Sequence, residues 1–64
     1  MNYEAKEAII NSLTNYFTLG LRDINPFSLA CALGHAEALM IAYPDDKIVK
    51  RLYRLVLDAM EDLI

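Results

Sequence analysis

A chain of 64 residues has room for one domain, and at this size folding buries only about 60% of the unfolded surface, so stability is marginal unless something staples the fold. A single cysteine excludes an internal disulfide, and together with a single histidine it cannot supply the four ligands of a structural zinc site from these residue types. The net charge of −3 speaks against a nucleic-acid or anionic-membrane surface covering most of the molecule.

Hydrophobic residues make up 56% of the chain. With tyrosine left out and glycine counted in, the apolar share is still just over half, above the usual range of about 45–50%. Left in water such an excess is sticky, so it either closes a self-associated bundle or waits for a partner. The start, MNYEAKEAII, lacks a basic region followed by an apolar run and a small-residue cleavage site. That points to a cytoplasmic protein, with which one unpaired Cys31 is compatible.

Residues 3–19, YEAKEAIINSLTNYFTL, place Ile9, Ile10, Leu13, Tyr16 and Phe17 at the i, i+3, i+4, i+7 spacing of an amphipathic helix. Asn2 is the expected N-cap, and Glu4 and Glu7 sit where the helix dipole favours negative charge. Gly20 is the expected C′ stop, because glycine takes the left-handed conformation past a last turn without penalty.

Leu21 to Asn25 form a connector, and Asn25-Pro26 reads as an N-cap followed by proline at the first helical position. The stretch from Pro26 to Tyr43, PFSLACALGHAEALMIAY, is then a helix apolar on nearly every side. Such a helix is expected to be buried; it is too short, and too interrupted by His35 and Glu37, to span a bilayer. Ala30, Gly34, Ala38 and Ala42 recur every four residues and let another helix approach closely, within the chain or between copies.

Tyr43-Pro44 ends this helix and Asp45 or Asp46 caps the next. Residues 46–63 form the third helix, in which Lys47, Lys50, Arg51, Arg54, Asp58, Glu61 and Asp62 fall within a wedge of about 120°. Apolar residues cover the other two-thirds of the circumference, more than one small core needs. One side is therefore left over. The expected division gives Ile48, Leu52, Leu55, Ala59 and Leu63 to the core and Val49, Tyr53, Val56, Met60 and Ile64 to an interface, because the second set carries the tyrosine and methionine that interfaces favour. Periodicity alone also permits the reverse. Leu13, Leu33, Ile41 and Leu52 are the expected buried positions.

The chemistry the chain can carry is thin. His35-Ala36-Glu37 matches the H-x-E part of a zinc deaminase signature, but the downstream P-C-x-x-C is missing. Cys31 and His35 stand i, i+4 on one face with Ser28 on the turn before, the spacing of a thiolate–imidazole pair or half of a shared metal site. No carboxylate or amide on that face orients the histidine, which leaves both residues a structural role.

Lys47, Lys50, Arg51 and Arg54 form a basic stripe near the start of the third helix, reminiscent of a helix-turn-helix reader of DNA. Asp45 and Asp46 stand beside it, the turn has no glycine, and the stripe has no Asn, Gln or Ser to read base edges. An Arg54–Asp58 pair at i, i+4 on a solvated face is the simpler expectation. The segment ALGHAEALMIAYPDDKIVKRLYRLV resembles the second helix, proline turn and next first helix of a tetratricopeptide repeat. It lacks the tryptophan of that motif, and 64 residues cannot display a 34-residue period. The resemblance implies helical hairpins and transfers no site.

The expected protein is thus a single all-α domain over 1–64, a three-helix antiparallel bundle completed by oligomerisation. No catalytic, metal or cofactor site is expected. The chain is expected to act by protein–protein binding as a regulator, inhibitor or adaptor, as a homodimer that also meets a larger protein partner. The alternative is a nucleic-acid-binding helical dimer using Lys47, Lys50, Arg51 and Arg54.

Overall fold

The computed structural model describes residues 3–63. Three helices, α1 (Tyr3–Arg22), α2 (Pro26–Ala42) and α3 (Lys47–Leu63), pack antiparallel in sequence order as a compact bundle. α2 lies against both neighbours, while α1 and α3 barely meet. Asn2 and Ile64, expected as a cap and an interface residue, lie outside the described residues.

α1 continues through Gly20 and ends three residues later than expected. Gly20 is buried and has no left-handed φ. A Cβ there would stand 2.7 Å from Leu29 Cγ and Cδ2 and 3.1 Å from the Leu29 nitrogen. Its glycine thus serves close approach to α2, not helix termination. Ile24 takes the left-handed position instead, with φ 49°, and the Asn25 N–H donates to the Gly20 carbonyl at 2.9 Å. This is the six-residue closure of a Schellman turn, with isoleucine where glycine is favoured.

The Asn25 and Asp46 caps form as the sequence predicts. Asn25 Oδ1 accepts from the Phe27 and Ser28 N–H groups at 3.0 and 3.4 Å, and Asp46 Oδ1 accepts from Ile48 and Val49 at 2.9 and 3.2 Å. At the end of α2 the Tyr43 N–H reaches the Leu39 carbonyl at 2.7 Å. Asp46 also pairs with Lys6, whose Nζ lies 4.8 Å from the centre of the Tyr43 ring. This clasp joins α1 to the beginning of α3.

Leu13, Ala32, Ala36, Leu39, Val49 and Val56 make the core, and Leu29 is buried against Gly20. Two expectations are corrected. Of the four predicted core positions Leu13 is buried, Leu33 and Leu52 are half-buried, and Ile41 is 84% exposed. On α3 the core follows neither of the two expected sides. Val49 and Val56 are fully buried inside the monomer, Tyr53 and Met60 are half-buried, and Ile48 and Leu55 are 65% and 51% exposed. The cause is geometric: at 100° per residue Val49 and Val56 point about 160–180° from the centre of the charged wedge. The middle of the apolar arc faces the core, and its two edges are left half-wet.

Candidate protein-binding face

α2 is apolar all round, as the sequence shows, but it is not enclosed. Its inward side contributes Leu29, Ala32, Ala36 and Leu39. Its outward side, Phe27, Ala30, Cys31, Gly34, Ala38, Ile41 and Ala42, is exposed, with Glu37 at one edge. Phe27 is 83% exposed. A bundle of three helices has no fourth element to cover the outside of one of them, so a uniformly apolar helix must leave a dry face in water.

The strip Ala30, Gly34, Ala38 and Ala42 therefore takes no part in the intramolecular core. Nothing lies within 4 Å of a Cβ built on Gly34. Beside the strip a shallow groove of about 380 Å³ is lined by Ile9 of α1 and by Cys31, Gly34, His35 and Ala38 of α2. The His35 ring stands 5.4 Å from that of Tyr16 and is tilted by 43° to it. A second cleft, of about 270 Å³, opens at the far end of the bundle between Ile24, Pro26, Leu29, Met60 and Leu63.

Cys31 is exposed and is not a core residue. His35 Nδ1 donates to the Cys31 carbonyl oxygen at 2.7 Å, the backbone partner expected of a structural histidine and a different arrangement from a thiolate–imidazole pair. Among the described residues no three His, Cys, Asp or Glu side chains come together as a metal site. None of the described helices is long and apolar enough to cross a membrane.

Lys47, Lys50, Arg51 and Arg54 are all exposed along α3. Arg54 Nε pairs with Asp58 Oδ1 at 3.2 Å, as the i, i+4 spacing predicts. The Lys6–Asp46 bond raises the Lys6 pKa, and it is the main reason that the Asp46 carboxyl sits below the usual carboxylate range, with the Val49 N–H adding to it.

No protein-family model, no curated protein and no solved structure matches the chain.

Four-residue spacing marked the strip Ala30, Gly34, Ala38 and Ala42 as a possible contact between copies, but the exposure of Phe27 and Ile41 beside it was missed. The signal available was the shortage of polar residues on α2 combined with a helix count of three: two neighbours cannot cover a full circumference. The Gly20–Leu29 approach and the Lys6–Asp46 clasp join residues across different helices and leave no mark on helical spacing.

Proposed function

We propose that this chain works by binding protein and not by catalysis, as a small homodimeric module of the regulator, inhibitor or adaptor kind. One observation carries the reading: α2 presents to water an apolar face with Phe27 and Ile41 at 83% and 84% exposure and Glu37 as its one charge. Covering such a face gains roughly 25 cal/mol for each Å² of apolar area removed from water. The buried Val49 and Val56 cannot form an intersubunit contact without opening the core, so the α2 face takes the role that sequence spacing gave to α3. The cleft at Ile24, Pro26, Leu29, Met60 and Leu63 lies apart from the α2 strip and offers an apolar pocket for a side chain of a larger partner.

The basic stripe supports a nucleic-acid reading less well, since Arg54 is engaged by Asp58 and Asp46 stands at the start of the same helix. Size-exclusion chromatography with light scattering over a concentration series tests the dimer. The expected mass rises with concentration toward twice the 7.3 kDa of the chain; a mass of one chain throughout rules the homodimer out.

A further inference from the structure

Four outward residues of α2 are spaced symmetrically about Gly34. Ala30 and Ala38 lie four residues to either side of it, and Phe27 and Ile41 lie seven to either side. In distance along the helix these are about 6 and 10 Å from Gly34. The size order is therefore large, small, glycine, small, large. On the inward face Leu29 and Leu39 flank Ala32 and Ala36 in a similar order, and that face does receive two helices.

We infer that the occupant of the outward face is α2 of a second copy, crossing antiparallel with Gly34 of both chains at the two-fold axis; this rests on the dimer reading above. A two-fold interface requires that where residue i meets residue j, residue j of the second chain meets residue i of the first. Antiparallel helices crossing at Gly34 satisfy this: Gly34 meets Gly34, Ala30 meets Ala38, and Phe27 meets Ile41. Small side chains let the helix axes come close at the crossing, and beyond it the axes diverge and leave space that a larger side chain fills.

Charge selects the same orientation. A parallel pair would bring Glu37 beside Glu37 on a face with no cation. The antiparallel pair sets Glu37 beside Cys31 and moves the two carboxylates about 9 Å apart along the helix. It also opposes the two helix dipoles. Area sets the strength. An outward arc about 21 Å long on a helix about 10–12 Å across offers roughly 300 Å², well short of the ~800 Å² per partner of a standard interface. The second helix must therefore also reach the groove beside Ile9 and His35, and the dimer belongs to the weak, concentration-dependent class.

Disulfide trapping in a Cys31→Ser background tests the geometry, with the unaltered chain weighed by light scattering in parallel. Gly34→Cys alone should give a covalent dimer on mild oxidation; the monomer fold accommodates it because the site is open. Ala30→Cys alone should not, since its two copies would be about 12 Å apart along the helix, beyond the roughly 7 Å limit between bridged Cα atoms. Ala30→Cys mixed with Ala38→Cys should trap a mixed dimer. Gly34→Leu should remain helical by circular dichroism and lose the dimer. If the unaltered chain is a dimer but Gly34→Cys stays uncrosslinked and Gly34→Leu stays dimeric, the proposed face is wrong while the dimer reading survives. If the unaltered chain is monomeric throughout, the dimer reading and this geometry both fall.

Discussion

α2 and α3 are equally long, and their inward sides are chosen by different means. In α3 the charges occupy one wedge, and the core lies opposite the centre of that wedge, at Val49 and Val56. In α2 polar groups are few and scattered, so hydropathy points nowhere. Its inward side is chosen by fit: Leu29 closes on Gly20, and Ala32 and Ala36 let the other helices approach. A polar wedge orients a helix by excluding one direction. Without one, side-chain size decides, and apolar residues end up outside as well.

The largest effect should distinguish the two halves of the α3 arc. Val56→Asp buries an unpaired charge at a cost of about 3–5 kcal/mol, comparable with the whole stability of a small domain at about 0.05–0.15 kcal/mol per residue. It should be unfolded by circular dichroism. Leu55→Asp, one residue along on the half-exposed edge, should keep its helicity and shift stability by no more than about 0.5 kcal/mol. A folded Val56→Asp protein would break the assignment of this arc.

Within α2 the same contrast applies to truncation. Leu39→Ala should cost about 2–5 kcal/mol in urea unfolding, and Ile41→Ala less than about 1 kcal/mol. Equal losses would mean that the outward face is covered within the monomer.

The two glycines should respond in opposite directions. Gly20→Ala puts a methyl group onto Leu29, including its backbone nitrogen, and should destabilise by about 1–3 kcal/mol. Gly34→Ala meets open space, and should raise monomer stability by about 0.5–1 kcal/mol through helix propensity. Thermal melts of both variants at a concentration too low for dimers make the comparison.

The smallest effect belongs to the Lys6–Asp46 clasp and is read as pH dependence. The lowered Asp46 pKa adds stability above the ordinary carboxylate value of about 4, and that stability is lost as pH falls through the lowered value. The raised Lys6 pKa adds stability below about 10.4, lost as pH rises through the raised value. Lys6→Met should therefore flatten both limbs of a melting-temperature profile while leaving its middle lower. Unchanged limbs would mean the clasp is not formed in solution.

Much of this architecture was legible beforehand because caps and breakers act locally. Asn25-Pro26, Tyr43-Pro44 and Asp46 mark helix ends within a few residues of themselves. Gly20 misled because a glycine near a helix end has two uses, left-handed φ and close approach, and only the presence of Leu29 across the gap tells which applies. Ile24 could not be foreseen in the left-handed position, since a β-branched residue is disfavoured there. The α3 core was misread because its arc was divided into two sides, when its midpoint held the answer. For the exposed face of α2, composition signalled an excess of apolar surface and the four-residue strip offered a place for it, but spacing could not choose between α2 and α3.

The near absence of contact between α1 and α3 has a kinetic consequence. Almost every tertiary contact joins helices adjacent in sequence, so little chain entropy is spent in bringing distant segments together, and such low contact order belongs to chains that fold in microseconds to milliseconds. α2 takes part in both hairpins, whereas either outer helix can open once the Lys6–Asp46 clasp has parted. Backbone amides should therefore exchange with solvent most slowly in α2 and more readily in the outer pair, so the helix with the most exposed apolar face is also the last to come apart.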